Sequence, residues 1–317
     1  MAISARQWCT RKVVGQLLVV WVTADSFLIS VDTADLVNRC GQRRPLFNAR
    51  NGYCAAPSRQ CQPVRSTKGP NISDHSVCTP RMVTVQDMFP LVGLAHGSRD
   101  PRASVSTAEL MAAVGAARPG LVAVPAYLDL AEPDLADAVC ELADNTVVVL
   151  PLLFTQAFHA RVDTPAEVAA AAAASGKTLV TAPLLGMGTE VVDALEVRAT
   201  EAGIPAMGPI ALAAVGSADD DANHAVAHLA ARWSARRGSP VTACFATAGE
   251  PKVAPVVAGL TSDGGVVPLF LAPGLLLRTI ADHAATAGVP VAEPLGTLMA
   301  GLVLARYDEA VAEFVIR

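Results

Sequence analysis

The strongest constraint on the fold is an internal repeat, because three motifs recur in the same order later in the chain. Residues 91–100 correspond to 210–219, residues 126–133 to 244–251, and residues 147–161 to 266–278. The offset between equivalent residues is 119, then 118, then 117, so the register holds across the whole unit, as in an internal duplication. A chain of 317 residues is also longer than one ordinary domain. The sequence therefore predicts two similar domains.

The two copies differ where a side chain could hold a metal or move a proton. Three residues of the first copy have this capacity and their counterparts do not: His96, Asp129 and His159 against Val215, Thr247 and Leu276. The Gly-Ser, Glu-Pro and Pro-Leu pieces occur in both copies, so we interpret them as structural. The repeat predicts one functional site, in the first copy.

Short apolar runs alternate with Ala-rich segments from residue 89 to the end. The runs predict strands at 91–95, 122–128, 147–154, 179–182, 210–215, 241–246, 266–271 and 289–292, with helices between them and a last helix near 298–314. Continuous apolar strands separated by helices are typical of a parallel sheet with right-handed crossovers. We predict an α/β protein with two tandem flavodoxin-like domains, each a parallel sheet flanked by helices, at residues 82–205 and 206–317.

The candidate site residues follow the ends of three predicted strands. His96 ends the first strand, Asp129 ends the second, and His159 lies five residues past the third. Ligands of such sheets bind beyond the carboxyl ends of the strands, so we expect one crevice to contain all three. Asp129 has a second interpretation as a helix N-cap before Pro133, and the dipole of that helix would favour Glu132 in its first turn.

The first 81 residues differ from the remainder of the chain in charge. They hold 11 of the 24 Lys and Arg but 4 of the 29 Asp and Glu, a net +7, which leaves −12 for the rest. A negative body disfavours nucleic acid as a partner. Residues 38–68 lack any helical or strand period, so we interpret 1–81 as a disordered extension and place the functional start near Met82.

No apolar span reaches the roughly 20 residues of a transmembrane helix. No cysteine pair has C-x-x-C spacing, which disfavours a zinc module. We expect a cytoplasmic protein that binds no membrane.

Three segments in order resemble the sirohydrochlorin chelatases, the CbiX/SirB-type class II family. They are residues 94–101 (LAHGSRDP), 126–133 (AYLDLAEP) and 151–165 (PLLFTQAFHARVDTP), and the similarity extends over about residues 90–317. The resemblance implies two tandem chelatase-like domains and insertion of Fe2+ or Co2+ into sirohydrochlorin without ATP or an organic cofactor. It also implies that His96 and His159 handle the metal. Family members commonly have Glu where this chain has Asp129, and Gly where it has Ala157.

The residue chemistry agrees with that expectation. Neutral imidazoles bind Fe2+ or Co2+, and imidazole or carboxylate can accept the pyrrole protons that leave. The resemblance implies an anionic tetrapyrrole with eight carboxylates as the partner, and the polar residues near the histidines are candidate anchors for it: Ser98, Arg99, Arg102, Thr155, Gln156 and Arg161. Two alternatives stay open, a cobalt-specific enzyme of cobalamin biosynthesis and a non-catalytic metal or tetrapyrrole carrier. The oligomeric state cannot be deduced from the sequence.

Overall fold

The computed structural model describes residues 88–155 and 163–316 and, nearer the N-terminus, the backbone of five strands. The chain divides into two compact units, residues 1–88 and residues 89–315. Among the described residues, no helix combines the length and apolar character needed to cross a bilayer.

The first unit contains an antiparallel sheet in the order β1-β2-β3 and a separate pair, β4-β5. Their bounds are β1 Gln7–Val13, β2 Gln16–Thr23, β3 Ser26–Val31, β4 Leu46–Asn48 and β5 Tyr53–Ala55. These strands lie where no regular structure was predicted. The Val-rich sequence of β2 explains its conformation, because β-branched residues favour strands. The interpretation of residues 1–81 as an extension stays a prediction.

The first half of the second unit forms one parallel sheet with the strand order β7-β6-β8-β9. Its elements are β6 Leu91–Ala95, α1 Pro101–Ala117, β7 Ala123–Tyr127, α2 Leu135–Glu141, β8 Thr146–Pro151, α3 Thr164–Ser175, β9 Thr178–Thr181 and α4 Thr189–Glu201. Leu91, Val92 and Leu94 of β6 are fully buried, as are residues 147–150 of β8. Burial on both faces explains why these strands read as continuous apolar runs.

The second half repeats this arrangement with the strand order β11-β10-β12. Its elements are β10 Ile210–Ala214, α5 Asp220–Arg237, β11 Val241–Phe245, α6 Val253–Ala258, β12 Gly265–Pro268, α7 Leu275–Ala287, a 3-10 turn Gly296–Met299 and α8 Ala300–Ile316. The strand predicted at 289–292 is reduced to a single bridge between Val266 and Val291. Pro290 and Pro294 flank Val291 and have no backbone N–H to donate, which limits the pairing. The predicted fold class is confirmed.

Two helices pack against the half to which they do not belong in sequence. On α4, Glu196 accepts a hydrogen bond from Trp233 Nε1 at 2.6 Å and pairs with Arg237 at 2.6 Å, and both partners lie on α5. In the opposite direction, the Tyr307 hydroxyl of α8 donates to the Phe89 carbonyl at 2.9 Å. These exchanged helices tie the two halves together, so packing crosses the predicted boundary near residues 203–209. That boundary stays a prediction.

Candidate functional site

His96 and Asp129 are neighbours at the carboxyl ends of β6 and β7. The parallel ladder continues past both strands, because Leu128 N–H donates to the Ala95 carbonyl at 2.9 Å and Asp129 N–H donates to the His96 carbonyl at 3.0 Å. Both His96 and Asp129 are exposed. The structure thus brings together two of the three predicted metal-handling residues at one edge of the sheet.

Gly97 makes this approach possible. Its φ is +93°, and a Cβ built there would lie 1.7 Å from the carbonyl oxygen of Asp129. A side chain would therefore collide with backbone, not with a flexible neighbour. The second half has the same constraint at Gly216, where φ is +88° and a Cβ would lie 2.0 Å from the Ala248 carbonyl oxygen. The shared Gly-Ser piece is structural, because only glycine fits this conformation without strain.

The interpretation of Asp129 as a helix cap is wrong. Helix α2 begins only at Leu135, and Asp134 caps it by accepting a hydrogen bond from the Asp137 N–H at 2.8 Å. Asp129 instead accepts a hydrogen bond from the next residue, Leu130, at 2.8 Å. Leu130 has a φ of +63°, an unusual conformation for a residue with a branched side chain. Asp129 therefore belongs to the strand-end loop.

The interpretation of Glu132 as part of a first helical turn is also wrong. Glu132 precedes α2 and is joined to Pro133 by a cis peptide bond, and Glu250 and Pro251 repeat this bond in the second half. The Pro133 carbonyl accepts a hydrogen bond from Tyr127 N–H at 3.0 Å, so the loop folds back beside β7. The Glu-Pro piece shapes the loop in both copies.

Ser98 and Arg102 are held at the start of α1 by Asp100, a residue that the sequence analysis did not select. Ser98 Oγ accepts a hydrogen bond from Asp100 N–H at 3.1 Å, and Asp100 caps α1 by accepting from Arg102 N–H at 3.1 Å. The Arg102 guanidinium pairs with the same carboxylate at 2.6 Å while its side chain stays 60% exposed. The second half repeats the bond from Asp219 N–H to Ser217 Oγ at 3.0 Å, and that repetition was the available signal.

Asp100 is strongly acidic because of this pairing. Hydrogen bonds from the Arg102 side chain, followed by its backbone N–H and positive charge, lower the pKa of Asp100 to about 2 despite the opposing effect of burial. The same contact raises the pKa of Arg102. Arg278, at the start of α7, contributes a smaller lowering of the pKa of Asp100. The charge of Arg102 is therefore partly neutralised within its own loop. Both Arg102 and Arg99 are exposed.

Part of the third predicted segment, residues 151–165, lies outside the described residues. Thr155 is partly buried just beyond β8, whereas Gln156, His159 and Arg161 fall within the undescribed residues 156–162. Within the described residues, no three or more His, Cys, Asp or Glu side chains form a group suited to a metal ion. The predicted approach of His159 to His96 stays a prediction.

In the second half, side chains form hydrogen bonds with the backbone of the corresponding strand-end loops. The Asn223 carboxamide accepts from Ser217 N–H at 2.9 Å and donates to the Ser217 carbonyl at 2.7 Å. The Thr247 hydroxyl donates to the Val215 carbonyl at 2.7 Å, and Lys252 Nζ donates to the Thr247 carbonyl at 2.5 Å. Thr247 N–H also donates to the Val215 carbonyl, at 2.8 Å, so the backbone matches that of Asp129 and His96. The second copy keeps the backbone frame of these loops and has neither an imidazole nor a carboxylate at the positions of His96 and Asp129.

The strand-end loops of the two halves approach each other. A Cβ built on Gly274, which precedes α7, would lie 3.7 Å from Ser98 Oγ. Beside this contact, a cavity of about 610 Å³ is lined from both halves, by Arg102 and Arg198 of the first and Pro273 and Glu293 of the second. His96 and Asp129 are not among the residues that line this cavity.

Comparison with known proteins agrees with the repeat. A family model described as CbiX matches residues 90–202 and residues 209–310. A curated relative, the sirohydrochlorin ferrochelatase of Bacillus subtilis (strain 168), is 28% identical over 197 residues, which are 59% of this chain and 76% of the relative.

Solved structures with the same fold include two of SirB. SirB from Bacillus subtilis with Fe3+ has a TM-score of 0.61 and 24% identity, covering 73% of this chain and 98% of SirB. SirB from Bacillus subtilis subspecies spizizenii in complex with cobalt has a TM-score of 0.60 and 25% identity, covering 71% of this chain and 96% of SirB. CbiX, the terminal enzyme for biosynthesis of siroheme in denitrifying bacteria, has a TM-score of 0.53 and 23% identity, covering 68% of this chain and 98% of CbiX.

Proposed function

Because this chain belongs to the CbiX family, we propose that it is a sirohydrochlorin chelatase that inserts a divalent metal, Fe2+, into sirohydrochlorin without ATP. The observation that carries the proposal is the placement of His96 beside Asp129, joined by the hydrogen bond from Asp129 N–H to the His96 carbonyl. An imidazole and a carboxylate at one exposed edge suit a divalent ion that must be bound and then released. The curated relative, a sirohydrochlorin ferrochelatase, supports this substrate and this metal.

In the proposed reaction, His96, His159 and Asp129 bind the incoming metal and accept the two protons that leave the pyrrole nitrogens. Neutral imidazole is basic enough near pH 7 to accept a proton, and the Asp129 carboxylate offsets the charge of the ion. The exchange of two pyrrole protons for a dication conserves charge. We place all three residues in the metal site and in the catalytic group.

The substrate carries its negative charge on peripheral carboxylates, and six residues are proposed to bind them: Ser98, Arg99, Arg102, Thr155, Gln156 and Arg161. Arg99 is exposed beside His96, and Arg102 extends from the first turn of α1 toward the cavity between the halves. Guanidinium groups bind carboxylates through paired hydrogen bonds. These side chains offset the net negative charge of the body of the protein.

The proposal is tested by following metal insertion in the absorbance spectrum of sirohydrochlorin, anaerobically and without ATP, using the full chain. The unmodified protein is expected to insert Fe2+ catalytically, whereas His96→Ala abolishes insertion and the matched variant Val215→Ala keeps it. Stoichiometric binding without turnover would contradict the proposal and favour a carrier. The SirB structure in complex with cobalt motivates a parallel assay with Co2+. A preference for Co2+ would establish the cobaltochelatase alternative.

We also propose that residues 82–205 form the domain with the metal site, that residues 206–317 form the domain without metal ligands, and that residues 1–81 are an extension. The start of the compact second unit at Phe89 supports the separation of residues 1–81. The two matches to the family model, at residues 90–202 and 209–310, support the two domains. A chain that begins at Met82 is expected to insert metal at the rate of the full chain. Insolubility or inactivity of that shorter chain would contradict the assignment of residues 1–81.

A further inference from the structure

Helix α5 contains a pair of histidines that the proposed function does not use. His224 and His228 are four residues apart within the continuous helix Asp220–Arg237. Residues at this spacing lie on the same face of a helix, with Cβ atoms roughly 5–6 Å apart. Two imidazoles so arranged can bind one metal ion, as in the zinc sites of metalloproteases. We refer to His224 and His228 as the α5 pair.

The α5 pair is accessible from solution. Both histidines are exposed, and other positions form the buried face of α5, among them Val226, Leu229 and Trp233. Within the part of the chain that the structure describes, neither imidazole has a hydrogen-bond or ion-pair partner. The pair is therefore not required for packing, and its ring nitrogens can reach an ion from the solvent.

The charges next to the α5 pair along the helix favour a cation. Asp220, one turn before His224, is exposed. Arg232, one turn after His228, donates a hydrogen bond to the Met187 carbonyl, so its guanidinium is bound to another segment of the chain. No group of three His, Cys, Asp or Glu among the described residues is suited to a metal ion. Asp220 therefore acts through its charge, and the two imidazoles are the protein ligands.

The helix that carries the α5 pair is held at both ends and packed on one side. Asp219 caps it by accepting a hydrogen bond from Asp221 N–H at 3.0 Å, and it ends at Gly238, whose φ is +70°. Trp233 is fully buried and donates to Glu196 of α4 at 2.6 Å. Two ligands on a helix that is already ordered bind an ion without the cost of ordering the backbone.

We propose that the α5 pair is a second metal site, which binds a divalent late first-row ion such as Ni2+, Cu2+ or Zn2+, with water at the remaining positions. Imidazole suits these ions, and they bind nitrogen ligands more tightly than Fe2+ does. The inference goes beyond the proposed function, because the α5 pair includes none of the residues assigned to metal insertion. The two imidazoles meet at one ion only while α5 is helical, so a bound ion stabilises the folded chain.

The test titrates Ni2+ into the full chain by calorimetry, with His96→Ala present to weaken binding at the candidate metal-binding edge. Adding His228→Ala is expected to weaken Ni2+ binding roughly tenfold or more, because the second imidazole no longer binds the ion intramolecularly. Ni2+ is also expected to raise the thermal unfolding midpoint of the His96→Ala chain and to have little effect once His228→Ala is added.

The matched control keeps the number of histidines but separates them. His228→Ala combined with Ala235→His, at an exposed position of α5, places the two imidazoles eleven residues apart. That separation is roughly 16 Å along the helix, too far for one ion. The control is expected to bind Ni2+ as weakly as His228→Ala alone. Ni2+ affinity in either variant equal to that of the chain with the intact pair would overturn the inference.

Metal insertion separates this inference from the proposed function. With His96 intact, His228→Ala is expected to insert Fe2+ into sirohydrochlorin at the rate of the unmodified chain. A parallel loss of Ni2+ binding and of insertion in His228→Ala would overturn the claim of a second, independent site. Absence of insertion in an unmodified chain that still binds Ni2+ at the α5 pair would contradict the proposed function and leave this inference standing.

Discussion

The loop after β6 and the loop after β10 follow the same backbone path but contain different side chains. In the first, Asp129 N–H bonds the His96 carbonyl, and in the second, Thr247 N–H bonds the Val215 carbonyl. The second loop is closed by Asn223, and its strand end is apolar. The comparison separates what the fold needs, which both copies keep, from what the proposed chemistry needs, which only the first copy has.

The largest expected difference between the halves is at the histidine position. His96→Ala is expected to lower the rate of metal insertion by roughly 100-fold or more, because it removes both a metal-binding group and a proton acceptor. Val215→Ala at the equivalent position is expected to leave most of the insertion rate. Initial rates with Fe2+ and sirohydrochlorin measure both variants. Equal losses in the two would show that both halves carry the reaction.

A smaller loss is expected at the carboxylate position. Asp129→Asn keeps the shape and the acceptor oxygen for Leu130 N–H but removes the charge, and it is expected to slow insertion on the order of tenfold. Thr247→Val removes only a hydroxyl that bonds the Val215 carbonyl, so its insertion rate should stay near that of the unmodified chain. Metal titration and initial rates distinguish the two. An unchanged rate in Asp129→Asn would exclude its carboxylate from the reaction.

The shared glycines are expected to behave alike in stability and differently in activity. Gly97→Ala and Gly216→Ala each force a side chain onto a backbone carbonyl at positive φ, and each should cost about 1–3 kcal/mol of unfolding free energy. Only Gly97→Ala also moves Asp129 away from His96. Under conditions where both variants stay folded, only Gly97→Ala should therefore slow metal insertion. Denaturant unfolding and insertion rates, measured together, test this difference.

The smallest expected effect is on acid stability. The pKa of Asp100 is about 2 in the folded protein against an ordinary value of 3.8, so its contribution to stability is full above pH 3.8 and is lost as the pH falls through about 2. Arg102→Gln removes the main cause of the lowered pKa and should move the acid-unfolding midpoint to higher pH. Circular dichroism during acid titration measures the shift. An unchanged midpoint would mean that the pair adds no stability at low pH.

Most of the fold could be predicted because buried parallel strands leave a direct signal in the sequence. The eight apolar runs recovered seven strands with ends within three residues of those observed, and the eighth became a bridge at Val291. The strand predicted at 147–154 extends three residues past the observed end of β8, because residues 152–154 are still apolar and at least partly buried. Apolar periodicity reports burial, and burial continues into a loop that packs against the sheet.

The local errors at the candidate site had a different cause. Asp129, Glu132 and Pro133 form a plausible helix start by type and spacing, but the loop folds back beside β7 and the cap falls to Asp134. Leu130 at positive φ gave no signal in the sequence, since a leucine seldom adopts that conformation. Such loop geometry depends on contacts with residues distant along the chain, which residue type alone does not report.

The sequence by itself determined the duplication, the parallel sheets and the asymmetry between His96 and Val215, because these depend on residue type and spacing along the chain. Only the tertiary structure decided that α4 and α8 exchange halves and that Gly274 approaches Ser98. Each of these contacts joins residues that lie far apart along the chain. Their geometry is set by the packing of the whole unit, and no short stretch of sequence contains it.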